Sequence, residues 1–258
     1  MKTLLAMFVL LLAHTYLLPR QSFKEEQLKF SRVREAYTSY EPRLRQDVLQ
    51  AGTSLERMQI LLIAFKEEKE LELWVRDQDS PVYQKLKTYP ICATSGISGP
   101  KRQSGDRQIP EGFYEIDRFN PVSNYFLSLG INYPNASDKA ISPHANLGGD
   151  IFIHGGCSTI GCLPLTDPLM AELYVLAVEA RANGQRSLPV YFFPSRLDKE
   201  GFARLQARYQ AQPELLLFWK NLKEGHDLFM ASRQALHYSI QKNGQYRFSQ
   251  VHASGIAP

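Results

Sequence analysis

The sequence has little of several features that would indicate particular classes of protein. Its three cysteines in 258 residues are too few for a disulfide-built scaffold, and the odd number leaves at least one thiol without a partner inside the chain. No block of Lys or Arg indicates a nucleic-acid-binding arm, although 30 basic residues exceed 26 acidic ones. We therefore expect no nucleic acid as a partner. The small positive excess is compatible with an anionic target such as a cell-wall polymer.

The first twenty residues predict a secretory signal. A positive start precedes an apolar run at residues 4–13, and Arg20 ends the segment. A transmembrane helix needs about 20 apolar residues, whereas residues 3–18 are fewer and are interrupted by polar side chains. Residues 1–20 are compatible with two interpretations, a cleaved signal peptide and an uncleaved N-terminal anchor. Either predicts a periplasmic or otherwise exported, wall-associated protein that meets the membrane only through this segment.

The rest of the chain predicts an α+β fold with a sheet-rich centre. Residues 22–57 are predicted to form a helical N-terminal extension. Residues 58–196 contain short apolar strands separated by loops rich in Gly, Pro and Ser, and are predicted to be the main domain. Residues 197–240 predict a helical C-terminal extension, and residues 241–258 a tail with little pattern, open to disorder. Strands are expected at residues 58–65, 71–75, 89–93, 113–119, 150–154 and 188–193.

Two predicted helices carry recognisable boundary signals. In the N-terminal extension, Ser22 and Glu25 have the spacing of a capping box, and Pro42 is expected to interrupt the helix. In the main domain, Asp167 is a natural N-cap and Gly184 stands where a helix is expected to end. The second helix therefore starts directly after the segment in which the reactive residues are concentrated.

The residues suited to chemistry lie between Asp150 and Asp167. An apolar strand ends at His154, a glycine-rich loop follows, and Cys162 lies shortly before the second helix. A thiol with a pKa near ~8.5 is mostly protonated at neutral pH, so a nucleophilic cysteine needs a base, which a histidine fixed at a strand end can supply. Backbone N–H groups of a glycine-rich loop can stabilise an oxyanion. The segment predicts nucleophilic catalysis by Cys162 with His154 as its base.

Other interpretations of these residues stay open at this point. His154 and Cys162 can be a packed histidine and a buried thiol without chemical roles. A zinc-dependent hydrolase can be built on four of the side chains, His144, His154, Cys157 and Cys162, although their spacing is not a standard one. A Cys157–Cys162 disulfide can form in an oxidising compartment and would silence the nucleophile. Cys92, on a predicted strand, is expected to be a small buried hydrophobe.

Four segments together resemble the YkuD family of L,D-transpeptidase catalytic domains. The first contains His154-Gly155 followed by Thr159-x-Gly161-Cys162. The short eight-residue step from this histidine to this cysteine is similar to the YafK-like branch, a group of murein L,D-transpeptidase-like proteins. The resemblance covers roughly residues 58–235, and the other three segments are residues 89–106, 109–114 and 218–229. It implies the sandwich or barrel-like sheet of that family as the core.

The resemblance also implies a role for each matching position. Cys162 would be the nucleophile, and His154 would be its general base. The backbone carbonyl of Gly155 would orient the imidazole, and the amides of Gly161 and Cys162 would form the oxyanion hole. The implied substrate is a peptidoglycan stem peptide, attacked at diaminopimelate without a cofactor. A thioester would pass its acyl group to an amine, in L,D-transpeptidation, or to water, in hydrolysis of a bond such as a protein-lysine link to a wall-attached lipoprotein.

Two positions depart from the family pattern. Pro164 stands where many members have an arginine that binds a substrate carboxylate, so Arg196 is a candidate for that role, with a surface charge as the alternative. Ile160 replaces a histidine that is not the base in this scheme. The remaining candidates for substrate binding are Ser158, Thr159 and His144. No metal site is predicted under this interpretation, and a non-catalytic wall-binding module with the same fold is the alternative function.

Overall fold

The structure is a computed structural model that describes residues 22–249. The predicted signal or anchor and residues 250–258 of the predicted tail lie outside this range. The helices are α1 (Phe23–Gln27), α2 (Ser31–Gln50), α3 (Ala136–Ile141), α4 (Asp167–Ala182), α5 (Lys199–Arg208) and α6 (Pro213–Ser232). The strands are β1 (Met58–Phe65), β2 (Glu70–Asp77), β3 (Gln84–Pro90), β4 (Gly112–Asn120), β5 (Ser128–Ile131), β6 (Phe152–His154), β7 (Leu163–Pro164), β8 (Pro189–Phe193), β9 (His237–Ile240) and β10 (Tyr246–Ser249). None of the described helices has the length and apolar character needed to cross a bilayer.

Eight of the strands form one curled sheet. Its order is β3-β2-β1-β8-β4-β5-β6-β7, with β1 antiparallel to β2 and parallel to β8. The two ends of this order approach each other, because the amide of Cys92, just after β3, donates to the carbonyl of Pro164 in β7 at 3.1 Å. The sheet therefore bends back on itself, and the predicted α+β class with a sheet-rich core is confirmed.

The strand β1 explains why the sheet is covered on both faces. Side chains alternate between the two faces of a strand, so an unbroken apolar run needs apolar partners on both sides. The even-numbered residues from Ile60 to Ala64 pack in a cluster with α2 and α4. The odd-numbered residues from Leu61 to Phe65 pack in a second cluster with α5, α6 and Tyr246. The helices α2 and α4 thus cover one face of the sheet, and α5 and α6 cover the other.

The N-terminal helical segment agrees with the sequence at its start and differs at Pro42. Ser22 and Glu25 form the capping box of α1, which ends at Gln27 before α2 begins. The expected interruption at Pro42 is wrong, because α2 continues through it to Gln50. Pro42 lies on the exposed side of α2, where the carbonyl left without an amide can be solvated. The opposite side of α2 is buried against α4, and this packing keeps the helix continuous through Pro42.

The N-cap of α4 lies one residue earlier in the sequence than predicted. Thr166, not Asp167, occupies the N-cap position, and Pro168 lies in the first turn. The carboxylate of Asp167 instead accepts a hydrogen bond of 2.8 Å from the amide of Gly156, in the loop after β6. Gly184 follows the helix with a φ of +90°, as expected for a residue that ends a helix.

The C-terminal region contains more sheet than the sequence indicated. Residues 237–240, predicted as helical, form β9, and part of the predicted tail forms β10, which pairs with β9. Tyr246 is only 3% exposed, and its backbone N–H and C=O both bond to the side chain of Asn221 in α6. These long-range contacts order a segment whose local pattern is too short and polar to predict a strand. The short elements β5, β7 and α3 were not predicted either.

Candidate active site

His154 is the last residue of β6 and is held on both sides by neighbouring strands. It lies opposite Ser128 of β5 and Pro164 of β7. Its carbonyl accepts from the amide of Leu165 at 2.8 Å, and the amide of Gly155 donates to the carbonyl of Leu127 at 3.1 Å. His154 itself is 3% exposed. The direction in which the imidazole leaves the sheet is therefore fixed by backbone hydrogen bonds.

The imidazole is oriented by the backbone of the next residue. Its Nδ1 lies 2.6 Å from the carbonyl oxygen of Gly155. Since a carbonyl oxygen can only accept, Nδ1 carries the proton and Nε2 is left as an acceptor. Burial lowers the pKa of His154, while the hydrogen bond to Gly155 opposes this change. The imidazole is thus neutral at neutral pH and can accept a proton at Nε2.

Cys162 directly precedes β7 and is the free cysteine of the described chain. Its thiol is half-buried, and Sγ lies 3.7 Å from the carbonyl oxygen of Asp150. Cys162 and His154 line the same cavity of about 320 Å³, together with Tyr125, Asp150 and other residues. A larger groove of about 830 Å³ between α6 and β10 is lined by neither cysteine nor histidine. The smaller cavity is therefore the candidate active site.

The environment of Cys162 keeps its thiol protonated at rest. Burial raises the pKa of the Cys162 thiol, and the negative charge of Asp150 adds to the rise. A contact with the backbone of Phe152 and the charge of Lys101 oppose it without cancelling it. A neutral thiol faces the same cavity as a neutral imidazole, so the proton has to move as the sulfur attacks rather than beforehand.

Thr159 shapes the turn that presents the nucleophile. Its hydroxyl accepts hydrogen bonds from the amides of Gly161 at 3.1 Å and Cys162 at 2.8 Å, and donates to the carbonyl of Cys162 at 2.8 Å. The two amides expected to form an oxyanion hole are therefore bound to this hydroxyl. Thr159 lines the cavity, but the contacts of its hydroxyl are with the nucleophile's own backbone and that of Gly161.

Two glycines of the motif occupy positions where a side chain has no room. Gly161 has a φ of +139°, and a Cβ there would lie 3.1 Å from the carbonyl oxygen of Gln108. At Gly155 a Cβ would lie 2.5 Å from Oδ1 of Asp167 and 2.9 Å from the carbonyl oxygen of Tyr125. The glycines let the loop pass between Asp167 on one side and Gln108 on the other. The backbone at both ends of the loop is closely confined.

A disulfide joins Cys92 to Cys157, whose Cα atoms are 5.4 Å apart. The alternative Cys157–Cys162 pairing is wrong, and so is the expectation that Cys92 is an unpaired buried hydrophobe. The curl of the sheet explains both, because the hydrogen bond from Cys92 to Pro164 brings the end of β3 beside the loop that contains Cys157. The remaining thiol, on Cys162, is left available for chemistry.

The structure does not bring two of the predicted substrate-binding residues into the cavity. Arg196 forms ion pairs with Glu70 and Glu72 and lies over the ring of Phe65, 4.4 Å from its centroid. These partners belong to β1 and β2, away from β6 in the sheet order. His144 is exposed in the loop after α3 and does not line the cavity. Neither residue is placed to bind a substrate beside Cys162, whereas Ser158 does line the cavity.

The proposed zinc ligands are not assembled. Cys157 is in the disulfide, and His144 lies outside the cavity that contains His154 and Cys162. Within residues 22–249 no three His, Cys, Asp or Glu side chains are grouped to hold a metal ion. The four side chains that a zinc site would need are therefore not brought together.

Several cavity residues were not found from the sequence. Tyr125 covers the imidazole of His154, with ring centroids 4.7 Å apart. Asp150 was noted only as the start of a strand, yet it is one of the residues that line the cavity, and its backbone has a φ of +54°. The one available signal for Tyr125 was the polar loop after the predicted strand at 113–119. That loop reaches His154 because β5, which follows it, pairs with β6.

Comparison with known proteins identifies the family as that of the L,D-transpeptidase catalytic domains known as YkuD. Residues 60–190 match this family, and the chain belongs to it. A relative named "Putative L,D-transpeptidase YafK", from Escherichia coli K12, is 36% identical over 184 residues, which is 70% of each chain. The resemblance seen in the sequence is thereby confirmed. Membership of the family indicates an enzyme that acts on peptidoglycan.

Two solved structures show weaker similarity. The helical cell shape determining protein Pgp2 of Campylobacter jejuni is 17% identical with a TM-score of 0.43, and the match covers 71% of this chain and 74% of that one. Bd1075 of Bdellovibrio bacteriovorus is 20% identical with a TM-score of 0.38, over 71% and 75% of the two chains.

Proposed function

We propose that the chain is an exported cysteine enzyme that opens an amide of peptidoglycan stem peptides through a thioester on Cys162. The observation that supports this most directly is one cavity containing both a free thiol and an imidazole whose Nδ1 is fixed by Gly155. A non-catalytic wall-binding module would need no such pair. The predicted secretory segment at residues 1–20 and the family's substrate agree with a periplasmic or wall-associated location.

The reaction follows from the two neutral side chains. Nε2 of His154 takes the thiol proton while Sγ of Cys162 attacks the carbonyl carbon of the scissile amide. When the C–N bond breaks, the imidazolium gives this proton to the leaving amine, and the acyl group stays on sulfur as a thioester. A water molecule or a second amine then attacks the thioester, again with His154 as base, and the free thiol is restored.

Stabilisation of the oxyanion requires a local change at Thr159. We assign the amides of Gly161 and Cys162 as the donors, in keeping with the family's motif. Both are bound to the hydroxyl of Thr159 in this structure, so the hydroxyl has to rotate away as the substrate carbonyl enters. Oxyanion donors typically contribute about 3 kcal/mol each to the stability of a transition state, which exceeds the roughly 1 kcal/mol of an ordinary hydrogen bond to a neutral hydroxyl.

Hydrolysis is our first choice for the second half of the reaction. The rim of the cavity includes Ser158, which is exposed, and Ile160, which is 78% exposed. Water therefore reaches the position of the thioester, whereas transfer to an amine needs water to be kept out. The bond we propose is one made to diaminopimelate, including the protein-lysine link to a wall-attached lipoprotein. L,D-transpeptidation, the reaction that gives the family its name, is the second candidate.

Incubation with purified sacculi tests this function. The wild-type protein and Cys162→Ala are added to sacculi that carry attached protein, and the soluble and digested fragments are separated and weighed. Released protein or trimmed peptides with a free carboxyl group support hydrolysis, and new cross-links support transpeptidation. No change with the wild type, or equal activity with a folded Cys162→Ala variant, would contradict the proposed function.

A further inference from the structure

Asp150 is the one residue of the Asp, Glu, Lys and Arg types among the twelve residues that line the candidate active site. It directly precedes Ile151 and β6, and its carbonyl oxygen lies 3.7 Å from Sγ of Cys162. Its backbone φ of +54° is unusual for a residue other than glycine. Backbone conformations of this kind are often found at functional sites, where the surrounding structure holds them. The feature that needs explaining is an acidic residue whose backbone contacts the nucleophile and whose charge acts on the thiol.

The carboxylate is held in place but still open to a ligand. Oδ1 of Asp150 accepts a hydrogen bond of 2.8 Å from Nη1 of Arg118 in β4. Arg118 is itself fixed, because its guanidinium lies 4.8 Å from the ring centroid of Phe152 and Nη2 donates to the carbonyl of Ile131. Oδ2 of Asp150 has no hydrogen-bond partner among residues 22–249, and the side chain is 83% exposed. One carboxylate oxygen is thus oriented by the protein and the other faces solvent.

The negative charge of Asp150 does not activate the thiol of Cys162. A negative group near Cys162 opposes formation of the thiolate, since it raises the pKa of the thiol. A carboxylate that only disfavoured the nucleophile would be a disadvantage to a cysteine enzyme. The remaining uses of Asp150 are to join β4 to β6 through Arg118, or to bind a positive group of the substrate.

The other side chains of the cavity indicate which charge a substrate would carry. Asn120, Ser123 and Asn124 are neutral, and no Lys or Arg is among the lining residues. Arg196, the predicted partner of a substrate carboxylate, is paired with Glu70 and Glu72 elsewhere. The cavity therefore offers a carboxylate to an ammonium group and offers no free cation to a carboxylate.

We propose that Asp150 binds a free ammonium group of the substrate and selects stem peptides that carry an unblocked amine near the carbonyl attacked by Cys162. This inference rests on the proposed function. The D-centre of diaminopimelate, when it is not cross-linked, has an amine of this class. Asp150 is then a specificity-determining residue that distinguishes free from acylated side chains of the stem peptide.

Three synthetic peptides that differ only at this amine provide the test. In the first the amine is free, in the second it is methylated and keeps its charge, and in the third it is acetylated and neutral. The value of kcat/KM is measured for each with the wild type and with Asp150→Asn. Asparagine is suited to this exchange, because it tolerates a positive φ and its amide oxygen can still accept from Arg118. Asp117→Asn is the matched control, because Asp117 also bonds to Arg118 but does not line the cavity.

The wild type is expected to prefer the free and methylated peptides over the acetylated one by about fivefold, the size of an exposed ion pair. Raising the salt concentration should reduce this preference. Asp150→Asn should lose the preference, so that its kcat/KM values for the charged and acetylated peptides become equal. Asp117→Asn should keep the preference.

Each other result has a distinct meaning. Equal wild-type activity on all three peptides would overturn the inference and leave the proposed function standing. Retained preference in Asp150→Asn would show that another group binds the amine. Equal loss on all three peptides in this variant, with lowered thermal stability, would show that Asp150 only joins the strands. No wild-type activity on any peptide or on sacculi would instead contradict the proposed function.

Discussion

The Nδ1 atom of His154 lies 2.6 Å from the carbonyl oxygen of Gly155, its own neighbour in the chain. A backbone carbonyl fixes the tautomer of the imidazole as a carboxylate would, but it brings no negative charge. The imidazolium is therefore stabilised less than it would be beside an anion, and burial lowers its pKa further. The base therefore remains neutral at neutral pH.

The alkylation rate of Cys162 should keep rising at alkaline pH. Burial and Asp150 raise the pKa of the thiol, so the thiolate fraction at neutral pH is lower than for an exposed cysteine, whose pKa is about 8.5. Iodoacetamide labelling, followed by mass spectrometry at several pH values, should show a midpoint above that of a free cysteine. Cys92 and Cys157 serve as internal controls that stay unlabelled. A plateau below pH 7 would contradict this and indicate a preformed thiolate–imidazolium pair.

His154→Ala should lower activity far more than stability. Removing a general base reduces the rate by about 10²- to 10⁴-fold, whereas the buried ring contributes to folding only through its packing and one hydrogen bond. Acylation rates and the free energy of unfolding are measured on the same preparation. In the wild type, kcat/KM should fall at acidic pH with a midpoint below the ordinary histidine pKa of about 6.5, because burial lowers the pKa of His154. Losses of activity that only parallel unfolding would indicate a structural histidine.

Gly161→Ala should destabilise the protein and remove most of its activity. The φ of +139° is unfavourable for alanine, and the new Cβ would lie 3.1 Å from the carbonyl oxygen of Gln108. We expect a loss of about 1–3 kcal/mol in the free energy of unfolding. Gly149→Ala is the control, since a Cβ at Gly149 has no heavy atom within 4 Å and its φ is not positive. Similar behaviour of the two variants in chemical denaturation would contradict the role given to Gly161.

Breaking the Cys92–Cys157 disulfide should lower stability and slow the reaction. The bond links residues 65 apart in sequence, and a loop of this length gives a stabilisation of about 4 kcal/mol in the chain-entropy model. Cys157 lies in the loop between His154 and Cys162, so its release should also lower kcat. The double variant Cys92→Ser with Cys157→Ser is compared with the wild type by thermal unfolding, with and without reductant. A wild-type melting temperature unchanged by reductant would contradict the prediction.

The sequence predicted those parts that depend on local pattern. The apolar run at residues 58–65 predicted the strand β1, in which the six consecutive residues from Ile60 to Phe65 are buried. The spacing of His154, Gly161 and Cys162 identified the motif because its chemistry restricts which residues fit. The family followed from the same residues and is confirmed.

The features that the sequence did not predict depend on long-range contacts. The partner of Cys157 is set by the curl of the sheet, which brings Cys92 to β7, and β10 is ordered by Asn221 of α6. Arg196 was assigned to the substrate because it follows a strand, but the carboxylates of β2 already occupy it. Asp150 gave no signal at all, since its position depends on a backbone conformation that local sequence does not reveal.

The most direct test of the account is the mass of the enzyme during turnover. The wild-type protein is mixed with a stem peptide that contains diaminopimelate, quenched in acid within the first turnovers, and analysed intact and after digestion. We predict a transient increase equal to the acyl part of the peptide, located on the fragment that contains Cys162 and removed by hydroxylamine, with no increase in Cys162→Ala. Product formation without any adduct, or by Cys162→Ala at the wild-type rate, would contradict the central claim.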